Sequence, residues 1–192
     1  MKQSKSFILA ISALSVAINI VLGTLVQFFK IPLVFLDTMG TILSAILFGP
    51  FYGFMVGAVS NILSPILSGN PKDIPFFIVN AMVGLIVGLI GKKFKFNIKT
   101  AVITGIILSI ACPLVGTPIV VYVYGGVTGS VNDIFFTILK SSGAKIFSSA
   151  FIPRVGGNIV DKILSCVLVS WALTMTALKS KYEVKTKKIE GI

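Results

Sequence analysis

Charged side chains are almost absent from six stretches of this chain, roughly residues 7–29, 38–49, 51–69, 75–91, 100–121 and 155–178, and that absence limits the fold more than any other feature. A run of about 20 apolar residues crosses a bilayer as a helix. A soluble domain of 192 residues needs a largely polar surface, and this chain, 55% apolar and 12% charged, has too little polar material to make one. The predicted fold class is an all-α integral membrane protein. It is a single membrane domain over residues 1–192: a six transmembrane helix bundle with an amphipathic or re-entrant segment between the fifth and sixth helices.

The second run is too short to cross alone. It meets the third at Gly49-Pro50, where Pro suits the first turn of a new helix, so the two are expected to form a hairpin with a tight, uncharged turn. Lys2 and Lys5 precede the first run as in a signal peptide. No small-residue cleavage site breaks from it and five more runs follow, so it is expected to be retained.

The positive charges fall in the gaps. With six spans, one side holds the eleven residues Lys2, Lys5, Lys92, Lys93, Lys95, Lys99, Lys179, Lys181, Lys185, Lys187 and Lys188; the other holds the five residues Lys30, Lys72, Lys140, Lys145 and Arg154. The positive-inside rule then makes both termini cytoplasmic. The net charge of +11 is accordingly a topology signal and not a nucleic-acid footprint.

Several chemistries are excluded. The chain has no His, which removes the commonest general base, the commonest transition-metal ligand and the usual partner of a nucleophilic Ser or Cys. Cys112 and Cys166 lie inside apolar runs with no CxxC spacing and read as small apolar residues. Around Gly91-Lys92-Lys93 the spacing of a nucleotide loop is missing, so active transport would need ATP hydrolysed by another chain. No catalytic residue, metal site or cofactor is expected.

Residues 122–153 are too long for a simple loop and too polar for a span. Ile134, Phe135, Ile138 and Leu139 stand at helical spacing within them, which predicts an amphipathic helix acting as a lid at the outer face.

The sharpest signal is in the last run. Arg154, Asn158, Asp161, Lys162 and Ser165 fall on one helical face, polar for about 17 Å and then apolar from Val167 to Leu173. Ionisable groups at such depth are expensive and face the bundle interior, paired or functional. A polar face that stops halfway predicts a blind cup for a small polar molecule, with Asn158, Asp161, Lys162 and Arg154 as ligand groups. At matching depth stand Asn19 on the first run and Asn80 on the fourth. Asp37 heads the second, a carboxylate placed to pair with Lys162 or a ligand amine. Tyr124 and Asn132, in the lid, are positioned to reach into the cup. Overlapping GxxxG steps (Gly49, Gly53, Gly57; Gly84, Gly88) predict close internal helix packing, and the Ala13/Ala17 face is free to meet another membrane protein.

Leu36-Asp37-Thr38-Met39-Gly40-Thr41, Leu47-Phe48-Gly49-Pro50, Gly53, Gly57 and Ser60-Asn61 resemble the substrate-binding S components of energy-coupling factor (ECF) vitamin transporters. So do Tyr124-Gly125-Gly126-Val127-Thr128-Gly129 and Asn158-Ile159-Val160-Asp161-Lys162-Ile163. The resemblance implies a cup near the outer face of a bacterial cell membrane, closed by the connections after the first, third and fifth spans. It implies an ABC-type importer whose other parts are a membrane coupling protein, docked on Ala13 and Ala17, and two ATPase subunits, with the whole S component toppling to deliver a water-soluble vitamin or precursor. The absence of His departs from the nickel and cobalt branch. A free-standing, proton-coupled secondary carrier titrating Asp161 is the rival reading; it predicts inverted repeats, and none is visible between the two halves.

Overall fold

The computed structural model describes residues 4–129 and 132–175. They form α1 (Lys5–Phe28), α2 (Met39–Phe48), α3 (Pro50–Leu67), a 3-10 helix (Pro71–Phe76) running into α4 (Phe77–Lys93), α5 (Ile98–Tyr124), α6 (Asn132–Ser141) and α7 (Ile146–Met175). Among the described residues α1, α3, the 3-10 helix with α4, α5 and α7 are long and apolar enough to cross a bilayer. The chain is a multi-pass helical membrane protein. With 10 residues, α2 reaches about 15 Å, half a bilayer.

Local chemistry sets the helix ends. Ser4 accepts a hydrogen bond from the Phe7 amide and Asn97 one from the Thr100 amide, capping α1 and α5. Pro50 opens α3 directly after Gly49, whose φ of 99° few other residues tolerate. The last helix starts at Ile146 and not near 155, because Ile146, Phe147, Ala150 and Phe151 supply apolar positions and Pro153 is accommodated within it. Arg154 is therefore more than two turns inside α7, where the sequence reading had it at the start. The predicted lid of 122–153 shrinks to match, since α5 also runs on to Tyr124. Residues beyond 175, including the end of the predicted last span, lie outside the described residues.

The most extensive helix pairs are α5 with α7 and α3 with α4, and α2 is wedged among α1, α3, α4 and α7. Ile42, Ile46, Val83, Val87, Leu108 and Leu173 are wholly buried between them. The α3–α4 seam is made by small residues: Gly53 meets Gly84, Gly57 meets Asn80, and Gly88 meets Pro50, each too closely to admit a Cβ atom. By contrast only 17% of α1 is buried, against 33–39% of the other long helices, so α1 lies at the edge of the bundle with Leu9, Leu14, Val21 and Leu25 turned outward.

The connection from α1 to α2 does not stay at the bundle's surface. Asp37 packs on Gly23, and Gly40, at the start of α2, packs on the Ser15 backbone. Ser15 lies about 20 Å below the end of α1 at Phe28. Residues 29–38 thus descend from the upper end, where α1, α3 and α5 finish, to the middle of the bundle. Non-helical backbone at that depth persists only where protein or a polar cavity satisfies it.

Candidate functional site

The polar face of α7 supplies that satisfaction. Asp161 Oδ1 accepts hydrogen bonds from the backbone amides of Phe35 (2.7 Å) and Leu36 (2.9 Å). Its other oxygen lies 2.6 Å from Lys162 Nζ, and Asp161 is completely buried. Lys162 Nζ donates to Thr38 Oγ1 at 3.2 Å and stands 3.5 Å from Asp37 Oδ1. The pairing of Asp37 with Lys162 anticipated from sequence is present, with Asp161 as the nearer partner. Two carboxylates share one ammonium, and the Asp37 side chain keeps 40% of its surface exposed.

A second polar group adjoins the first. Asn80 Nδ2 donates to the Asp37 carbonyl at 3.2 Å and to Asn61 Oδ1 at 2.7 Å, while Asn61 Nδ2 donates to the Phe76 carbonyl at 3.3 Å. The descending segment is therefore held from α7 on one side and α4 on the other. At the upper end Tyr124 OH donates to Asp73 Oδ1 at 2.6 Å, joining the end of α5 to the 3-10 helix. The connections after α1 and α3 and the end of α5 converge on one end of the bundle.

Two further stripe residues turn to their own helix: Arg154 Nη1 donates to the Ala150 carbonyl and Asn158 Nδ2 to the Arg154 carbonyl, both at 2.8 Å. Asn158 is half-buried and Arg154 buried. Asn19 sits lower and is bound to protein on every side. It donates to Thr41 Oγ1 (2.9 Å) and Ser60 Oγ (3.0 Å) and accepts from the Gly40 amide (2.7 Å), pinning α1, α2 and α3 together. The Asn132 side chain lies outside the described residues.

Sequence reasoning missed Thr38 and the backbone amides of Phe35 and Leu36. Thr38 carries a weak signal, next to Asp37 and ahead of a helix; a main-chain donor carries none. On α6, Phe136 is buried against Gly126 while Ile134, Phe135 and Ile138 are exposed. On α1, Ala13 and Ala17 are exposed, and Ala17 lines a shallow apolar groove with Leu14, Ile18, Val21 and Leu22.

Neither the curated proteins nor the solved structures supply a match to the chain. Residues 5–179 match the family described as ECF-type riboflavin transporter, S component, a span that takes in every described helix. With its fold, its resemblance and nearly its whole length in agreement, the chain belongs to that family of transporter subunits, which are not enzymes.

Proposed function

We propose that this protein is the substrate-specific subunit of an ECF importer, capturing riboflavin or a closely related vitamin at the upper end of the bundle. In this reading the upper end is extracellular, both termini are cytoplasmic in a bacterial membrane, and α2 completes a six-span bundle as a half-length member. The observation that carries the reading is the descending segment 29–38 seated on buried Asp161 and Lys162 at mid-membrane depth. Non-helical backbone held at that depth by side chains of α7 and α4 is suited to cover a polar cup, and the charged groups of α7, Arg154, Asp161 and Lys162, reach no farther than its middle. Asn158, Arg154, Lys162, Asp37, Asn80 and Tyr124 are proposed to face the ligand, with Asp161 and Asn19 behind them and Asn132 on the lid side. Also in support, Asn80 Oδ1, Thr117 Oγ1 and Ser165 Oγ are buried without a hydrogen-bond partner among the described residues, and buried polar atoms ordinarily have one.

Delivery is assigned to a membrane coupling protein and two ATPase subunits, the first docking on the Ala13/Ala17 face of α1. The test of the substrate is twofold. Mass spectrometry of small molecules co-purifying with the chain from cells should find a flavin, and titration of the emptied protein should quench riboflavin fluorescence saturably at one ligand per chain. Failure of riboflavin to bind, with another vitamin co-purifying, would reassign the substrate.

A further inference from the structure

Residues 29–38 are held in place against their own backbone preference. Lys30, Leu33 and Leu36 have φ of 51°, 63° and 52°, a left-handed conformation that L-residues with a Cβ disfavour. Lys30 closes α1, its amide bonded to the Gln27 carbonyl and that of Ile31 to the Val26 carbonyl, whereas Leu33 and Leu36 persist only where the surroundings over-determine them. The surroundings that do so are few: the Asp161 carboxylate on the amides of Phe35 and Leu36, Lys162 on Thr38 and Asp37, and Asn80 on the Asp37 carbonyl.

These contacts divide unequally. Asp161 and Lys162 are neighbours on α7, so their ion pair remains when the segment leaves. Everything the segment contributes leaves together: two amides, Thr38 and Asp37. The amides of Phe35 and Leu36 lose a charge-assisted bond each, while the left-handed residues regain freedom. Released from these contacts the segment would relax, so a free arrangement is open to it beside the fastened one.

We propose that Asp161 is the latch of this gate. It is a positioning residue that sets how fast ligand enters and leaves by fastening residues 33–37 through their main chain, without itself touching the ligand. The inference rests on the reading of this end of the bundle as the ligand cup. The fastening uses only groups of this chain, so it closes the segment whatever molecule lies beneath.

The test uses the full-length protein in lipid nanodiscs and two variants. Asp161→Asn keeps an acceptor but loses its charge, and charge-assisted bonds are roughly twice as strong as neutral ones. Asp161→Leu with Lys162→Met removes the buried pair together, an exchange usually tolerated by folding. Amide exchange read by mass spectrometry should quicken across residues 29–38 by about tenfold or more in the double variant and by less in Asp161→Asn, with α5 and α7 still protected. Unchanged exchange at 29–38 in both variants would overturn the latch, and so would acceleration spread evenly over α5 and α7, the mark of a residue that only stabilises the fold. Stopped-flow riboflavin fluorescence supplies the kinetic arm. Asp161→Asn should speed association and dissociation together, so that Kd changes less than either rate; faster dissociation alone would make Asp161 a ligand contact and overturn the proposal. If the parent protein does not bind riboflavin, the substrate assignment falls, while the exchange measurement still decides the latch.

Discussion

Lys162 is the residue on which the site's charge balance turns. It is buried between Asp161 and Asp37, and a buried carboxylate without its partner is costly. Lys162→Met alone should destabilise the protein by about 3–5 kcal/mol, and adding Asp161→Leu should recover much of that loss. Thermal unfolding of the two variants in the same detergent checks this; equal melting temperatures would mean that the pair is not buried in the membrane. Asn158 offers a different readout. Among the described residues its amide bonds only to the helix carbonyl four residues back, so its loss should leave the fold intact. Asn158→Ala should weaken riboflavin binding by about 5- to 150-fold, the equivalent of one hydrogen bond to a desolvated ligand group. Isothermal titration showing unaltered affinity would remove Asn158 from the cup. Periodicity alone marked Asn158, Asp161 and Lys162 as one polar face. It had no means of separating Asn19, whose three protein partners make it a pin between helices, because an amide that binds ligand and one that binds other helices occupy the same kind of position.

Among the elements, the long helices were legible because an uncharged apolar run in lipid has few alternatives to a helix. The glycine seam was legible too: GxxxG spacing on two consecutive runs puts small residues on facing sides, and Gly53 and Gly84 do meet. Replacing Gly84 by Leu should force α3 and α4 apart, and since overfilling a packed contact costs about 1–3 kcal/mol or more, the variant should melt well below the parent and elute as aggregate in detergent chromatography. The same replacement at Gly156, with open space around it, should leave both readouts unchanged. Less legible was the connection between α1 and α2. The shortness of the second run said that it could not cross alone, yet nothing in residue type said that the chain before it descends to mid-membrane. That descent is fastened by main-chain amides, and every residue has one. The start of α7 was misplaced because residues 122–153 as a whole read as too polar for a span, while the helix, packed against α5 and α6, begins at Ile146.

At the scale of the whole molecule, the fold puts its two proposed contacts on different surfaces. The proposed vitamin site is at the upper end, under residues 29–38 and beside α6. The proposed docking face for the coupling protein is the exposed flank of α1, an edge helix with a small-residue face and a shallow apolar groove. Ala13→Trp with Ala17→Trp should therefore leave riboflavin affinity of the isolated protein near that of the parent and abolish uptake, because bulky rings obstruct close helix approach in lipid. Weakened binding in this variant would place the cup and the docking face in contact.

The separation of capture from energy is the central claim, and transport in reconstituted liposomes tests it most directly. The protein should accumulate riboflavin only when reconstituted together with its coupling protein and both ATPase subunits and supplied with ATP, and alone it should bind the vitamin without moving it, with or without a proton gradient. Gradient-driven accumulation by the protein alone would contradict the account and make the chain a free-standing carrier.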